Sequence, residues 1–309
     1  MNGVLPVLKP PGMTSHDVVA FVRRLTGEKR VGHAGTLDPG AAGVLVVCLG
    51  RATRLVQFLK DDKEYRAEVT FGCSTTTGDA SGEVVFEGRA EDLTAARIEE
   101  ALEAFRGEIW QVPPMTSALR HRGQRLYELA RRGIEVERAP RKVHIHALRL
   151  VRTEGLGTPR PRALLDITCS AGTYVRSLCA DLGKSLGCGA YMSFLLRTRA
   201  GIFTLHQCLT LEEVREAARA GRLEEALTPA GEALAHLPRV VVRPAARERV
   251  LCGGVLFWPG VKEAPPALQE GELVRLYDGE EFLAVARATG DPSHPGRHYF
   301  QPVRVMGEK

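Results

Sequence analysis

A chain of 309 residues can bury one large core and a smaller one, and with 44% apolar and 26% charged residues it has the balance of a globular protein. No apolar run approaches the roughly 18 residues of a membrane helix, and the polar, Pro-rich start through Met13 does not read as a signal peptide, so a cytoplasmic protein is expected. The net charge is +5 and 34 of the 42 basic residues are Arg; guanidinium groups hold phosphates bidentately and stack on bases, which favours a nucleic-acid partner.

Seven cysteines without a Cys-x-x-Cys pair argue against a disulfide framework and a zinc site, and His144-x-His146 lacks a third ligand. Lys9-Pro10-Pro11-Gly12 reads as a rigid turn with an exposed cation. A helix follows, capped by Thr14 or Ser15, striped by Val18, Val22 and Leu25, and stopped by Gly27.

The chain is organised around Gly32-His33-Ala34-Gly35-Thr36-Leu37-Asp38-Pro39-Gly40-Ala41-Ala42-Gly43, which leads into the buried-strand pattern Val44 to Leu49. Pro39 steers Asp38 towards extended backbone, and the glycines allow close approach to the main chain. The result is one carboxylate on a constrained loop.

A short helix with Leu55 and Phe58 comes next, then a strand from Tyr65 to Phe71 with Tyr65 at its start, where a ring can sit at a cleft edge. Residues 75–82 form a polar turn and residues 94–105 a helix. Between Arg120 and Lys142 eight basic residues face three acidic ones, the pattern of an insertion that grips phosphates. Strands are expected over 143–153 and 163–170, then a helix opening at Gly172-Thr173-Tyr174-Val175-Arg176. A cation at a helix start is disfavoured by the dipole, so Arg176 calls for an anionic partner elsewhere. A strand over 191–203 contains Leu196-Arg197, and Thr210-x-x-Glu213 caps a further helix. Residues 228–238 have a linker composition, and residues 240–306 carry the short strands of a small β domain with nearly balanced charge.

Lys9-Pro10-Pro11-Gly12, Gly32-His33-x-Gly35-Thr36-Leu37-Asp38-Pro39, Tyr65-x-Ala67, Thr75-x-Thr77-x-Asp79-Ala80, Gly172 to Leu178 and Leu196-Arg197 occur in this order over about the first 205 residues. Together they resemble the bacterial tRNA pseudouridine-55 synthases, the TruB family. Thr76, Gly40 and Arg120 stand where members often carry Asp, Leu and Lys.

The resemblance implies an α+β fold: a pseudouridine-synthase domain over residues 1–237, with a mixed, mainly antiparallel sheet, flanking helices and an RNA-gripping insertion at about 113–142. A small PUA-like β domain is expected over 238–309. It also implies isomerisation of the T-loop uridine at position 55 of tRNA, without metal or other cofactor, by a monomer needing no protein partner. Asp38 is then the nucleophile, Arg176 the cation that keeps it ionised, and Tyr65 the ring that stacks on the flipped uracil and moves a proton. His33 fills the space the base leaves, Tyr174 and Leu196 line the pocket, and Lys9 and Asp79 shape the site or contact RNA. Arg131, Arg132 and Arg141 grip the tRNA backbone. A non-catalytic tRNA-folding protein would keep the basic insertion without needing Asp38, Tyr65 and Arg176 together. A hydrolase would want a second acid and a positioned water. A relative acting at guide-RNA-selected sites is the nearest rival reading.

Overall fold

The computed structural model describes residues 1–117, 119–291 and 297–307; Ala118 of the expected insertion, and 292–296 and 308–309 of the expected C-terminal domain, lie outside them. Among the described residues a nine-stranded mixed sheet forms the body, and a five-stranded sheet forms a smaller C-terminal unit. The strands of the body are β1 (Gly3–Lys9), β2 (Val31–Ala34), β3 (Ala42–Leu49) and β4 (Lys63–Phe71), then β7 (Gly107–Gln111), β10 (Arg141–Glu154), β11 (Arg162–Cys169), β12 (Ala190–Ala200) and β13 (Phe203–Thr204). A separate ribbon pairs β5 (Cys73–Thr75) with β6 (Val84–Glu87), and a small hairpin pairs β8 (Arg120–His121) with β9 (Gln124–Arg125). Tyr65, Ala67, Val69 and Phe71 of β4 are buried in the core beneath the sheet, as their alternation predicts.

The sheet order is β1-β3-β12-β4-β11-β10-β7, with β2 added on β3 and β13 on β12. Its neighbours are antiparallel except at β3 and β12, which run parallel and pair only at Ala42 with Leu196 and Gly43 with Arg197. At that seam a Cβ on Gly43 would lie 2.2 Å from the Arg197 carbonyl oxygen, and Gly43 has φ +117°. Glycine is therefore required where the two halves of the sheet touch. The Asp38 loop joins β2 to β3 and ends at this seam.

Helix α1 (Ser15–Thr26) is capped by Thr14, whose hydroxyl accepts from the Asp17 N–H while the Asp17 carboxylate accepts from the Thr14 N–H, and it ends at Gly27 with φ +66°. α2 (Ala95–Glu103) buries Ile98 and Leu102 against the sheet, and α3 (Leu126–Arg131) follows the β8–β9 hairpin within the basic insertion. α4 (Val175–Ser185) joins β11 to β12, and α5 (Leu211–Arg219) packs Val214 into the cluster under β1 and β3. The C-terminal sheet is β15-β14-β16-β17-β18, from β14 (Arg239–Val242), β15 (Val261–Glu263), β16 (Leu273–Asp278), β17 (Glu281–Gly290) and β18 (His298–Val305), with α6 (Arg247–Leu251) against it.

Two expectations are corrected. Residues 228–238 are not a loose connector: Leu234 is fully buried with Leu55, Val285 and Met306, and Arg275 donates to the carbonyls of Gly231 and Leu237. The segment is apolar enough at Ala233 and Leu234 to fill the joint between the two sheets. The expected turn at Lys9 is preceded by β1, and Val31–Ala34, read as loop, is the edge strand β2.

Candidate active site

The backbone on both sides of Asp38 is held by buried polar side chains. Arg197, fully buried in β12, donates from Nε to the Val44 carbonyl at 2.7 Å and from its two Nη atoms to the carbonyls of Thr36 and Gly35 at 3.3 and 3.0 Å. Ser15 does not cap α1; its hydroxyl donates to the Leu37 carbonyl at 3.1 Å and accepts the Leu37 N–H at 2.9 Å. On the far side the Pro39 carbonyl accepts from the Gly12 N–H at 2.8 Å and from Lys9 Nζ at 3.3 Å. Residues 35, 36, 37 and 39 are thus tied down, and the side chain left pointing into the cleft is that of Asp38, 34% exposed.

Lys9 is not the exposed cation that its turn suggests. It is fully buried, and its ammonium donates to the carbonyls of Pro10, Met13 and Pro39, which uses its three N–H groups and leaves none for RNA. Burial lowers it to about 8, so at neutral pH it remains mainly charged. These bonds hold the chain entering α1 against the Asp38 loop.

Arg176 reaches Asp38 from the first turn of α4. Nε lies 2.9 Å from Oδ2 and Nη2 3.1 Å from Oδ1, a two-pronged ion pair with the guanidinium 5% exposed. This is the anionic partner that its position at a helix start demands. Burial pushes the Asp38 carboxyl up from its ordinary value; Arg176 and, more weakly, Lys9 pull it down, while Asp79 pushes it up. Asp79 lies behind the pair, with Oδ2 3.7 Å from Arg176 Nη1 and Oδ1 accepting from Thr77 Oγ1 at 2.7 Å and from the Ser81 N–H at 3.0 Å. Its carboxylate is thus bonded within its own turn and sits at longer range from the guanidinium.

Tyr65 is the third residue of β4, which begins two residues earlier than expected, and pairs with Arg197; it is buried, its phenol pushed up to about 12 by burial against the opposing charge of Arg197. It is a neutral ring beside the carboxylate. His33, on β2 at the lip of the same loop, is half-buried with Nδ1 unpartnered, and burial followed by Arg197 lowers its imidazole, keeping it neutral. Tyr174 and Leu196 are half-buried, the first at the start of α4 and the second on the β3–β12 seam. Arg131 and Arg132 are exposed at the end of α3, and Arg141 is exposed where the insertion returns to the sheet as the first residue of β10. Among the described residues none of the three has a carboxylate partner, and the Arg131 guanidinium lies 5.5 Å from the Tyr127 ring centre.

Sequence reasoning assigns Arg197 no role, although a charge directly after the apolar run Phe194 to Leu196 can signal a buried, fully bonded cation. Gln111 and Thr116, which also grip the α4 turn, carry no sequence signal. Among the described residues no group of His, Cys, Asp and Glu is placed to hold a metal ion. No helix there is long and apolar enough to cross a membrane.

A family model described as the N-terminal domain of TruB family pseudouridylate synthases matches residues 23–175, and one described as the C-terminal domain of tRNA pseudouridylate synthase B matches residues 176–235. A tRNA pseudouridine synthase B of Pelotomaculum thermopropionicum is 52% identical over 100% of this chain and 98% of its own length. One from Moorella thermoacetica is 49% identical over 98% of this chain and 99% of its own. Among solved structures, a chain of an H/ACA RNP bound to a substrate RNA containing 2'-deoxyuridine superposes with TM-score 0.76 at 28% identity, covering 99% of this chain and 85% of that one. A chain of a Cbf5-Nop10-Gar1 complex gives TM-score 0.74 at 30% identity, over 99% and 84%. With its length matched at this identity and its sheet shared with those structures, the chain belongs to the TruB family of pseudouridine synthases.

Proposed function

We propose that this protein isomerises uridine to pseudouridine in tRNA, at position 55 of the T-loop, with Asp38 as the catalytic carboxylate. The observation that carries the reading is the two-pronged Asp38–Arg176 pair on a loop whose backbone is fixed on both sides. The reaction breaks the C1′–N1 bond, turns the uracil, joins C1′ to C5 and moves one proton from C5 to N1, so nothing is oxidised and no second substrate is consumed. Attack on the sugar, attack on the ring and formation of a glycal all need one ionised carboxylate beside the target nucleotide in a water-poor cleft. Arg176 supplies the countercharge that burial would otherwise deny it.

The target base is stacked in the T-loop and must be extruded, at a cost of about a few kcal/mol. Tyr65 offers a flat neutral face for the flipped uracil and an O–H that can hand on the proton. His33, neutral at the lip, fills the gap in the stack, while Tyr174 and Leu196 wall the pocket. Asp79 holds Arg176 in place. Arg131, Arg132 and Arg141 on the 113–142 insertion hold phosphates, and the 238–309 unit acts as a PUA-like RNA-binding domain. The protein works as a monomer in the cytoplasm, where its substrate is.

The test is pseudouridine formation in unmodified tRNA with divalent metal chelated, comparing wild type with Asp38→Asn. The wild type turns over, and the variant binds tRNA while its rate falls by about 10⁴-fold or more. Turnover by Asp38→Asn would remove the central residue from the mechanism. Binding without turnover by the wild type would leave an RNA-binding protein.

A further inference from the structure

A guanidinium carries five N–H groups, and on Arg176 each has an acceptor. Nε and one hydrogen of Nη2 go to Asp38. The other Nη2 hydrogen goes to the Thr116 carbonyl at 3.1 Å, and Nη1 bonds the Thr77 carbonyl at 3.3 Å and the Thr116 hydroxyl. Thr116 therefore takes as many of these bonds as Asp38 does. A two-pronged carboxylate contact tolerates little rotation of the guanidinium plane. With the Thr116 contacts gone, only Thr77 and the more distant Asp79 would hold the outer edge of that plane.

Thr116 lies on the segment that leaves the sheet edge and crosses the first turn of α4 before entering the basic insertion. Gln111, the last residue of β7 and 1% exposed, holds the Tyr174 main chain from both sides. Its Nε2 donates to the Tyr174 carbonyl at 3.3 Å, and its Oε1 accepts the Tyr174 N–H at 3.0 Å. The Val112 carbonyl accepts from Ser177 Oγ at 3.2 Å, and the Pro113 carbonyl from Arg138 Nη1 at 3.1 Å. α4 has no side-chain N-cap of its own, so this crossing segment fixes its first turn.

We propose that Thr116 is a positioning residue for the reaction, fixing the guanidinium plane of Arg176 on the Asp38 carboxylate. The inference rests on the roles of Asp38 and Arg176 given above. It places part of the catalytic geometry in the segment that roots the RNA-gripping insertion.

The test is single-turnover pseudouridine formation at saturating unmodified tRNA across a pH series, with tRNA affinity measured separately, for Thr116→Val, Thr116→Ala and Thr116→Ser. Val keeps the shape and loses the hydroxyl acceptor; its rate constant falls by about 10- to 100-fold, the worth of one hydrogen bond to a charged group, while affinity stays within about twofold. The acid limb moves to higher pH. Asp38 is faced by Arg176 from α4, Asp79 from the turn after β5 and Lys9 from β1, and a loosened Arg176 opposes its burial less. Ala behaves as Val, and Ser restores both rate and limb. A Val or Ala variant with wild-type rate and limb overturns the role, as does a loss confined to affinity or one that Ser fails to recover. A wild type that binds tRNA but makes no pseudouridine overturns the reading of the site and this inference with it. An active wild type beside an unimpaired Val variant overturns this inference alone.

Discussion

The loop that carries Asp38 and the insertion that carries Arg131 and Arg132 are built on opposite plans. The loop is short, and buried side chains from β1, α1 and β12 bond its backbone at residues 35, 36, 37 and 39. The insertion is a hairpin of two-residue strands and a six-residue helix, anchored mainly by Leu126 and Leu129, with Arg131 and Arg132 in solvent. Bond-making needs a carboxylate fixed to within a fraction of an ångström. Gripping a polyanion needs charge within a screening length and little more. On the roles proposed above, each region carries the order its task requires.

The strongest way to break that contrast is Arg176→Lys. An ammonium keeps the charge but cannot make the two-pronged contact, so the rate constant is expected to fall by about 10²–10³-fold while the fold survives. The acid limb of the wild type should lie above 3.8, the ordinary Asp value, because the raised carboxyl must lose its proton to act, and in the variant it should lie higher still. A limb unmoved by the substitution would show that Arg176 does not set the ionisation of Asp38.

Arg197→Met tests the loop scaffold itself. It leaves the buried Val44 carbonyl and the less buried Thr36 and Gly35 carbonyls without this donor and should cost about 3 kcal/mol in urea unfolding, with activity lost alongside. Lys9→Met should cost about 2 kcal/mol by the same reasoning. Its pH signature is specific: the folded-state value of about 8 lies below the unfolded 10.5, so between them the unfolded chain holds more protons. Wild-type stability should therefore rise relative to Lys9→Met as pH increases across that window.

The insertion should respond in the other currency. Replacing Arg131, Arg132 and Arg141 by Ala is expected to leave the melting temperature unchanged and to weaken tRNA binding. The slope of log affinity against log salt should flatten by about 2–3. A variant that melts early would mean these residues serve packing. The smallest effect is expected at Arg122, which turns the β8–β9 hairpin with φ +48° next to Gly123 at +88°. Arg122→Gly should relieve less than about 1 kcal/mol of backbone strain, read by hydrogen exchange in the hairpin.

Much of the site is legible in the sequence because it lies in local patterns. The Asp38-Pro39 loop with its glycines, the aromatic near the start of β4 and the misplaced cation at the start of α4 each carry their signal within a few residues. Thr210 caps its helix and Gly27 ends another, as their positions predict. Short strands whose pairing lies elsewhere are harder: β2 and β7 are too brief for alternation to show, and their ladders with β3 and β10 give them their shape.

The sequence alone determined which groups the site contains, because residue type and local backbone preference are set within a few positions along the chain. It could not determine which side chains are spent inside the protein. Lys9 and Arg197 look like surface cations until the β3–β12 seam buries them against carbonyls separated from them by up to 162 positions. Gln111 and Thr116 look like ordinary polar residues until β7 and α4 are brought together. Burial and hydrogen-bond partnership are properties of the assembled sheet, and only the tertiary structure decides which polar groups lose their water and what replaces it.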